Sequence, residues 1–525
     1  MINKSGGLFL VAVFFSCVNM SLHAQPKTQQ QNVLFIICDD LNDYEGIFGG
    51  HPQAKTPNID QLAAAGVRFV NAHSNVPVCC PSRNSLFTGV YPHVSKDFGW
   101  TKLKEQPVLS HNKTMMQLFR ENGYKTYGTG KLTHDHIPAD WDVWGMNVAH
   151  NYGPVYFNGK DRVAHPAVPL PYGSIGPIDG SFGRLSAAGI STGKRGEKGW
   201  IYGGDGEPFR YVSDDDRDLL QDEKHVQWAV QKIKELETAA AGDPFFMAVG
   251  FVRPHTPLHV PDKYFEQFPL ENLKLNKWLK DDTTDTYFNN SIKGEDKGPR
   301  YYKNLLASYG GNRELALKHF LQAYLACVAF IDDQVGLLLQ GLNNSKFKDN
   351  TIVVFTSDHG WQMGEKNYLF KNSVWDESTR IPLIIKAPAA KPGTKVEHPV
   401  SLIDLFPTLI DLTSLTGNNT TSATGGKLGG FSLRPFLENK PDTWKGPNGA
   451  LSVVGNFGID IPVAKQNYSY RTAQWRYIRY SNGEEELYNH LNDPYEWNNV
   501  AGNKKLAAVK KTLAKEMDAL IDDGS

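Results

Sequence analysis

The sequence predicts an α/β fold: a large, mostly parallel sheet flanked by helices, followed by a smaller C-terminal α+β subdomain that contains an antiparallel sheet. Two observations predict it. Continuous apolar runs alternate with helical patterns between about residues 31 and 415, and such runs are typical of parallel strands buried on both faces. Three of the runs also end in acidic or histidine residues, as expected where a site lies beyond the carboxyl ends of the strands.

The first elements follow in chain order. The run NVLFIICDD at residues 32–40 predicts a buried strand that ends in two acids. In the next segment, TPNIDQLAAAGVRF, Thr56 and Pro57 suit the start of a helix and Gly66 suits its end. The segment TMMQLFRENGYKTYGTGK then predicts a helix, a glycine turn and a strand.

The second half of the sheet is predicted in the same way. Residues 243–257 contain an apolar run and end in the polar loop RPHTP. Residues 351–361 contain another apolar run, which is followed by an acid and a histidine. Between them, HFLQAYLACVAFIDDQVGLLLQGL predicts a long helix with an apolar face, and RIPLIIKAP predicts one more strand. Residues 147–215 are rich in Gly, Pro and Asp, so we interpret them as long loops.

The character of the chain changes after about Pro441. A β-hairpin with its turn at residues 481–483 and a terminal amphipathic helix are predicted there. We therefore predict a main domain at residues 25–440 and a smaller subdomain at 441–525.

The N-terminus has the pattern of a secretory signal peptide at residues 1–24. Lys4 precedes an apolar run that is too short to cross a bilayer, and no later transmembrane run is predicted. We expect the chain to be exported, to the periplasm or outside the cell. A lipid anchor at Cys17 is the alternative.

Charge and cysteine content exclude several classes of protein. The formal net charge is −1, so nothing global indicates binding to nucleic acid or to a membrane surface. Five cysteines in 525 residues are too few for a disulfide scaffold. Cys38 and Cys327 lie in apolar runs, which is typical of inert core thiols.

The strand ends predict a cation site. Asp39, Asp40, Asp358 and His359 would bring three carboxylates and an imidazole into one pocket, where the carboxylates repel one another unless a cation lies between them. Oxygen ligands in this number favour Ca²⁺ or Mg²⁺ over Zn²⁺. The alternative is that each acid caps a following loop or helix.

A second cluster of candidate residues lies in CCPSR. Pro81 suits the first turn of a helix, which would place Cys79 or Cys80 at a helix N-terminus, where an anion is favoured. Arg83 can lie on the same face one turn later. The alternative is a buried thiol pair with a surface arginine. These arguments do not decide which cysteine is functional.

The motif C-x-P-S-R, followed by NSLFTGVYPH, resembles the signature of the type I, formylglycine-dependent sulfatases of the alkaline-phosphatase superfamily. The strand-end DD, GYKTYGTGKLTH, RPHTPL and FTSDHGWQMGEKNYLFK match that family in order and spacing. The resemblance covers nearly the whole chain after the signal peptide, and it is strongest to the iduronate-2-sulfatase-like branch.

The resemblance implies a set of roles. Cys79 would be oxidised to formylglycine by a formylglycine-generating or sulfatase-maturating enzyme, and its hydrated form would attack sulfur and then release sulfate. Cys80 would occupy a variable position. One Ca²⁺ ion would be held by the strand-end residues and by the first cysteine of CCPSR, namely Asp39, Asp40, Asp358, His359 and Cys79.

The remaining implied roles concern the sulfate group. Lys131 and Lys371 would bind it, and Arg83 would hold the hydroxyl groups of residue 79. His134 would act as the base that breaks the sulfated intermediate, and His255 would protonate the leaving oxygen.

The implied substrate is a sulfated carbohydrate, such as an iduronate-2-sulfate-like unit or a unit of ulvan or carrageenan. Trp100, Trp361 and Tyr368 are candidates for shaping a sugar pocket, although each could equally pack near the site. Two alternatives stay open: a phosphomonoesterase or phosphodiesterase of the same superfamily, and a catalytically inactive sugar-binding relative.

Overall fold

The structure is a computed structural model, and its chain divides into two units, Met1–Gln30 and Gln31–Ser525. All elements below belong to the second unit. The predicted signal peptide and Cys17 lie outside the described residues, apart from Met1 and Ile2. The structure describes residues 1–2, 30–146, 152–203, 206–239, 242–287, 296–455 and 462–522.

The described residues contain strands and helices in alternation. The strands are β1 Asn32–Asp39, β2 Val67–His73, β3 Lys125–Gly130, β4 Val143–Trp144, β5 Val155–Phe157, β6 Arg162–Val163, β7 Gly199–Ile201, β8 Tyr211–Ser213, β9 Asp216–Arg217, β10 Phe245–Pro254, β11 Thr351–Ser357, β12 Arg380–Lys386, β13 Thr394–Val396, β14 Val400–Ser401, β15 Gly449–Val454, β16 Asn467–Thr472, β17 Trp475–Arg479 and β18 Glu485–Asn489. The α-helices are α1 Pro57–Ala65, α2 Cys79–Thr88, α3 Pro92–Ser95, α4 Met115–Glu121, α5 Gln221–Thr238, α6 Asp262–Phe265, α7 Lys297–Ser308, α8 Arg313–Asn343, α9 Asp376–Thr379, α10 Leu405–Thr413, α11 Arg434–Leu437 and α12 Ala507–Asp522.

The central sheet has the strand order β13-β2-β12-β11-β1-β10-β3-β4, with β14 beside β2. Strands β11, β1, β10, β3 and β4 are parallel neighbours, whereas β12 is antiparallel to both β11 and β2. The predicted mostly parallel α/β fold is therefore confirmed.

Strand β1 shows why its sequence is apolar throughout. Leu34 and Ile36 pack into one hydrophobic core, and Phe35 and Ile37 pack into a second core on the other face of the sheet. Successive side chains of a strand point to opposite faces, so a strand with a core on each side has no solvent-facing position.

Helix α8 spans 31 residues and packs against α5, α1 and β10. By length and composition it is long and apolar enough to cross a membrane, and it is the one such helix found among the described residues. Its most apolar stretch is 67% buried inside the protein, so this helix forms part of the core.

The glycine-rich region differs in part from its prediction. Strands β5, β6 and β7 form a small three-stranded sheet there, and β8 pairs with β9. Each of these strands has only two or three residues, which is too short for alternation to be visible in the sequence.

A second, antiparallel sheet has the order β15-β16-β17-β18. The predicted hairpin is β17–β18, and the N–H of Gly483 donates to the carbonyl of Tyr480 at its turn. Helix α12 packs on this sheet through Leu513 and Met517. The boundary between residues 440 and 441 stays a prediction.

Candidate active site at the carboxyl edge of the sheet

Four neighbouring parallel strands, β11, β1, β10 and β3, end at one edge of the central sheet. Their registers align these ends, since Cys38 pairs with Ser357 and Asp39 with Pro254. The polar residues that end or follow these strands are Asp358 and His359 after β11, Asp39 and Asp40 at the end of β1, His255 after β10 and Lys131 after β3.

Helix α2 brings the cysteine pair to this edge. Cys79 is its first residue, and Gly89 ends it in the left-handed conformation at φ 69°. The Sγ of Cys79 accepts from the Nζ of Lys371 at 3.0 Å and lies 3.3 Å from the Nε2 of His359. The Sγ of Cys80 instead donates to the carbonyl of Thr101. The structure thus separates the two thiols, and only Cys79 faces the strand ends.

The residues at this edge fit a cation. Ligand atoms of Asp39, Asp40, Cys79 and His359 all lie within 4.8 Å of one another. Two carboxylate oxygens in this group, Oδ1 of Asp39 and Oδ2 of Asp40, are buried without a hydrogen-bond partner. A buried carboxylate oxygen is costly without a partner, and a divalent cation would satisfy both.

The orientation of His359 also suits a ligand. Its Nδ1 lies 3.0 Å from the carbonyl oxygen of Gly360 and donates to it. This contact leaves the Nε2 lone pair directed toward Cys79, and metal-binding histidines are commonly held by such a second contact.

Asp358 lies at the margin of this group. Its Oδ2 accepts from Nε of Arg83 at 2.8 Å, and its Oδ1 accepts from the backbone N–H of His359 at 2.9 Å. Oδ2 of Asp358 also lies 3.7 Å from Nε2 of His359, which is one of the ligand atoms of the group.

The two acids at the end of β1 have opposite pKa shifts. Burial, which by itself raises a carboxyl pKa, is outweighed at Asp39 by the positive charge of Lys131, and the pKa lies well below its ordinary value. Burial and the neighbouring Asp39 raise the pKa of Asp40 to about 8, against the opposing charge of Lys371. Without a cation, therefore, the pair holds one negative charge more readily than two.

Two buried lysines flank residue 79. The Nζ of Lys371 donates to Asp40 at 2.8 Å, and the Nζ of Lys131 donates to Asp39. Burial opposes the charged form of Lys371, but Asp40 and Cys79 outweigh it and raise its pKa well above the ordinary value. At Lys131, Asp39 and Cys79 likewise outweigh burial and raise the pKa, so both ammonium groups are held charged beside the thiol.

The side chain of Arg83 contacts the ends of several strands. Its guanidinium donates to Asp358 and to the carbonyls of Lys131, Leu132 and Cys38. Its Nη2 also lies 3.5 Å from Asp39. A guanidinium has five N–H groups, and these contacts direct them to the strand ends. Arg83 therefore holds the acids and the backbone in place, and its contact with the hydroxyl groups of residue 79 stays a prediction.

The two predicted catalytic histidines lie in different surroundings. The Nε2 of His255 is 3.7 Å from Oδ2 of Asp40, and burial and Lys371 lower the pKa of His255 well below its ordinary value. His134 is half-buried, with its ring 4.9 Å from that of Trp100. Its role as a base stays a prediction.

The predicted sugar-pocket residues differ in how far they are exposed. Trp100 is 51% exposed, whereas Trp361 and Tyr368 are almost fully buried. The hydroxyl of Tyr368 lies within 3.2 Å of the Asp296 carboxylate and of the Lys371 carbonyl. Tyr368 is therefore used to hold the loop that carries Lys371, and Trp361 packs against Phe370 in that same loop.

Tyr152 also lies in the site, although the sequence does not predict it. Its hydroxyl accepts from Nζ of Lys131 at 3.1 Å, and its ring centre lies 4.7 Å from that of His255. Its carbonyl accepts from Arg253 at 3.3 Å. No motif surrounds it in the sequence, and only its place in the loop-rich region after Asn147 could have indicated a role.

A cysteine at a helix N-terminus, beside a carboxylate cluster and two ammonium groups, defines a hydrolase site for an anionic ester. The sulfatase family model matches residues 31–415, and a second model, N-sulphoglucosamine sulphohydrolase, C-terminal, matches residues 364–523. The chain belongs to the sulfatase family, whose members are sulfuric ester hydrolases.

Similar proteins include a sulfatase of Formosa agariphila, which is 31% identical over 97% of this chain and 91% of that protein. The iduronate 2-sulfatase of Mus musculus is 29% identical over 77% of this chain and 73% of that protein. Neither open alternative, a phosphoesterase or an inactive relative, is favoured by these matches.

Solved structures share the fold. The phosphonate monoester hydrolase of Agrobacterium radiobacter has a TM-score of 0.68 at 22% identity, over 94% of this chain and 96% of that one. A protein solved with its substrate D-glucosamine-2-N,6-O-disulfate has a TM-score of 0.67 at 22% identity, over 94% and 99%.

Proposed function

We propose that the chain is an exported sulfatase that hydrolyses sulfate esters of carbohydrates, with residue 79 acting as a formylglycine. The observation that carries this proposal is the position of Cys79, whose Sγ lies 3.0 Å from Nζ of Lys371 and 3.3 Å from Nε2 of His359. A maturating enzyme would make the formylglycine from Cys79. One Ca²⁺ ion would be held by Asp39, Asp40, residue 79, Asp358 and His359.

The two groups would supply chemistry that this chain's unmodified side chains lack. A hydrated formylglycine supplies a hydroxyl nucleophile and a second hydroxyl through which sulfate is released. A bound cation would polarise a sulfate oxygen and favour the ionised nucleophile. The oxygen-rich ligand set favours a hard cation such as Ca²⁺.

Lys131 and Lys371 neutralise the sulfate group. Each ammonium is buried and already paired with one acid of β1. Preorganised charges in a water-excluded site stabilise a transition state without reorganisation. We expect the ammonium groups to bind the sulfate oxygens while Asp39 and Asp40 hold them in position.

His255 can exchange a proton with the sugar oxygen. Its Nδ1 lies 2.5 Å from the Thr256 carbonyl and donates to it, so Nε2 of the neutral ring faces the site as an acceptor. Burial disfavours the charged ring in the free protein. An anionic sulfate nearby would favour protonation, and Nε2 would then donate to the leaving oxygen.

The carbohydrate class is supported by what similar proteins are named for. One relative is an iduronate 2-sulfatase, another is an ulvan-active sulfatase of Formosa agariphila, 26% identical over 98% of this chain and 86% of that protein, and one solved structure holds a disulfated glucosamine as its substrate. The sugar and the position of its sulfate are open to test.

A panel of sulfated oligosaccharides tests the proposal. We expect matured protein to release sulfate from at least one of 2-sulfated iduronate, sulfated glucosamine, ulvan or carrageenan oligosaccharides, and the variant Cys79→Ala to release none. Hydrolysis of an aryl sulfate alone would exclude the carbohydrate class. No sulfate release from any ester by formylglycine-bearing, calcium-loaded protein would overturn the proposal.

A further inference from the structure

A hollow of about 640 Å³ lies outside the site described above. It opens between the segment 271–278 and the first turns of helix α8, and it shares none of the site residues. The residues that line it are Glu271, Asn272, Leu273, Lys274, Leu275, Trp278, Arg313, Glu314 and Lys318.

Large apolar side chains are exposed on the two segments that border this hollow, and Trp278 lines it. Trp278 is 38% exposed, the adjacent Leu279 is 38% exposed, and Leu315 on helix α8 is 42% exposed. Single exposed apolar residues are ordinary on a protein surface, but a group of them beside a hollow indicates a binding surface.

Trp278 is held in a fixed orientation. The guanidinium of Arg313 lies 4.0 Å from the centre of its ring. Arg313 is fixed in turn, because its Nε donates to the hydroxyl of Tyr302 at 3.0 Å. A ring that is ordered before binding loses little conformational freedom when a ligand packs on it.

A second aromatic platform lies beside the first. Tyr495 is 42% exposed, and its ring stacks on that of Trp497 at 4.8 Å and 22°. The Nζ of Lys277 lies 5.4 Å from the Tyr495 ring. Lys277 directly precedes Trp278, so the two platforms are linked through neighbouring residues of one segment. We call these residues the aromatic–basic strip: Lys277, Trp278, Arg313, Tyr495 and Trp497.

The charges around the strip favour an anionic ligand. Lys274, Lys277 and Lys280 are exposed on one segment, and Arg313 adds a fourth positive charge, against the exposed acids Glu271 and Asp281 of that segment. The nearest acid on α8, Glu314, is paired with Lys318. Alternating rings and cations suit a polymer of sugar rings that carry sulfate groups, because the rings pack on aromatic faces and the sulfates pair with lysine.

The strip lies at the same edge of the sheet as the site. Helix α8 ends at Asn343, shortly before β11 begins at Thr351. Its other end therefore points toward the carboxyl edge, where β11 leads to Asp358. The Nη2 of Arg313 also lies 3.5 Å from the carbonyl of Gly364, in the loop between His359 and Lys371.

We infer that the aromatic–basic strip is an accessory binding surface for a sulfated polysaccharide, which holds one part of the chain while another part is desulfated at residue 79. This inference rests on the proposed carbohydrate function. It names a polymeric, multiply sulfated ligand, because a monosaccharide would not span both platforms and the active site.

Affinity electrophoresis through gels that contain ulvan, ι-carrageenan or heparin tests the strip. We expect at least one polymer to retard the wild-type protein. The double variant Trp278→Ala/Tyr495→Ala should bind it roughly tenfold more weakly, while Trp278→Phe keeps most of the binding. The matched control is Leu337→Ala, an exposed apolar residue on the same helix, about 36 Å from Arg313 along the axis.

Sulfate release from a monosaccharide sulfate separates this inference from the proposed function. We expect it to stay within twofold of wild type in the double variant. Unchanged polymer binding in the double variant would overturn the role of the strip in binding, even if catalysis is normal. An equal loss of binding in Leu337→Ala would overturn it as well. Concentration-dependent self-association that only the strip variant loses would assign the surface to a second copy of the chain instead. Absence of sulfate release with intact polymer binding would contradict the proposed function alone.

Discussion

At the scale of single residues, adjacent side chains of the same type differ because they contact different partners. Cys79 and Cys80 are adjacent, yet one contacts Lys371 and the other contacts the Thr101 carbonyl. Asp39 and Asp40 are adjacent, yet their pKa values shift in opposite directions. Each difference follows from which lysine or carbonyl the fold brings to the side chain.

Asp40 predicts a pH dependence of cation binding. Burial and Asp39 raise its pKa to about 8 in the absence of a cation, so below that pH a cation must displace a proton from the carboxyl group. In protein stripped with a chelator, we expect Ca²⁺ affinity to rise with pH between 6 and 8, by up to about tenfold per pH unit. Titration calorimetry in buffers of different ionisation enthalpy measures the released proton. In Asp40→Asn the pH dependence should disappear, and a pH-independent wild-type affinity would contradict the assignment.

Tyr152 predicts a loss of activity with only a small loss of stability. The variant Tyr152→Phe keeps the ring beside His255 but removes the hydroxyl that accepts from Lys131. A hydrogen bond to a charged group contributes about 1.5–3 kcal/mol to stability, so Tm should fall by a few degrees. The less constrained Lys131 ammonium should lower kcat/KM roughly tenfold or more. Tyr156→Phe, in β5 close by in sequence, is the matched control. Equal kcat/KM in Tyr152→Phe and wild type would contradict a role of the Tyr152 hydroxyl in the reaction.

At the scale of elements, the sequence predicts the strands that carry the site but not all of their partners. Strands β1, β10 and β11 are buried on both faces, so their apolar runs are unmistakable, and the polar residues at their ends mark one shared edge. Strand β12 is equally apolar, and nothing in its sequence distinguishes its antiparallel direction. Tyr152 and the contacts of Arg83 depend on long-range packing, which local patterns do not encode.

Arg83 connects helix α2 to the ends of three strands and predicts a stability effect. Its partners are Asp358 after β11, the Cys38 carbonyl in β1 and the Lys131 carbonyl after β3. Lysine keeps the charge but cannot make these contacts together. We expect Arg83→Lys to lower the free energy of unfolding by roughly 2–4 kcal/mol.

Urea unfolding measures this effect, with Arg120→Lys on an exposed surface as the control. A variant Arg83→Lys that is as stable as wild type but inactive would contradict this stability effect, and it would assign the role of Arg83 to its predicted contact with residue 79.

At the scale of the whole molecule, the second sheet is joined to the central sheet by buried charges. Arg476 in β17 is fully buried and contacts Asp376 in α9 and Glu496. The backbone N–H of Val453 in β15 also donates to the carbonyl of Asn75, shortly before helix α2. The C-terminal sheet therefore supports the segment that presents Cys79.

This junction predicts cooperative unfolding of the two sheets. Arg476→Met removes one cationic partner from each of the buried carboxylates of Asp376 and Glu496, which keep their contacts with Arg380 and His490. We expect a loss of up to about 3–5 kcal/mol. The control is Arg479→Met in the same strand, whose half-buried ion pair with Asp518 contributes at most about 1 kcal/mol. Urea unfolding should show one transition in each protein. Separate transitions for the two sheets would contradict the coupling.

The central claim is that residue 79, and not residue 80, carries the chemistry after conversion from cysteine. Mass spectrometry of the peptide 69–83, which follows Arg68 and ends at Arg83, tests this claim most directly in protein matured by its native host. We predict that position 79 has lost H₂S and gained one oxygen, while Cys80 remains a thiol that alkylates. Two alkylated cysteines in protein that still releases sulfate would contradict the account.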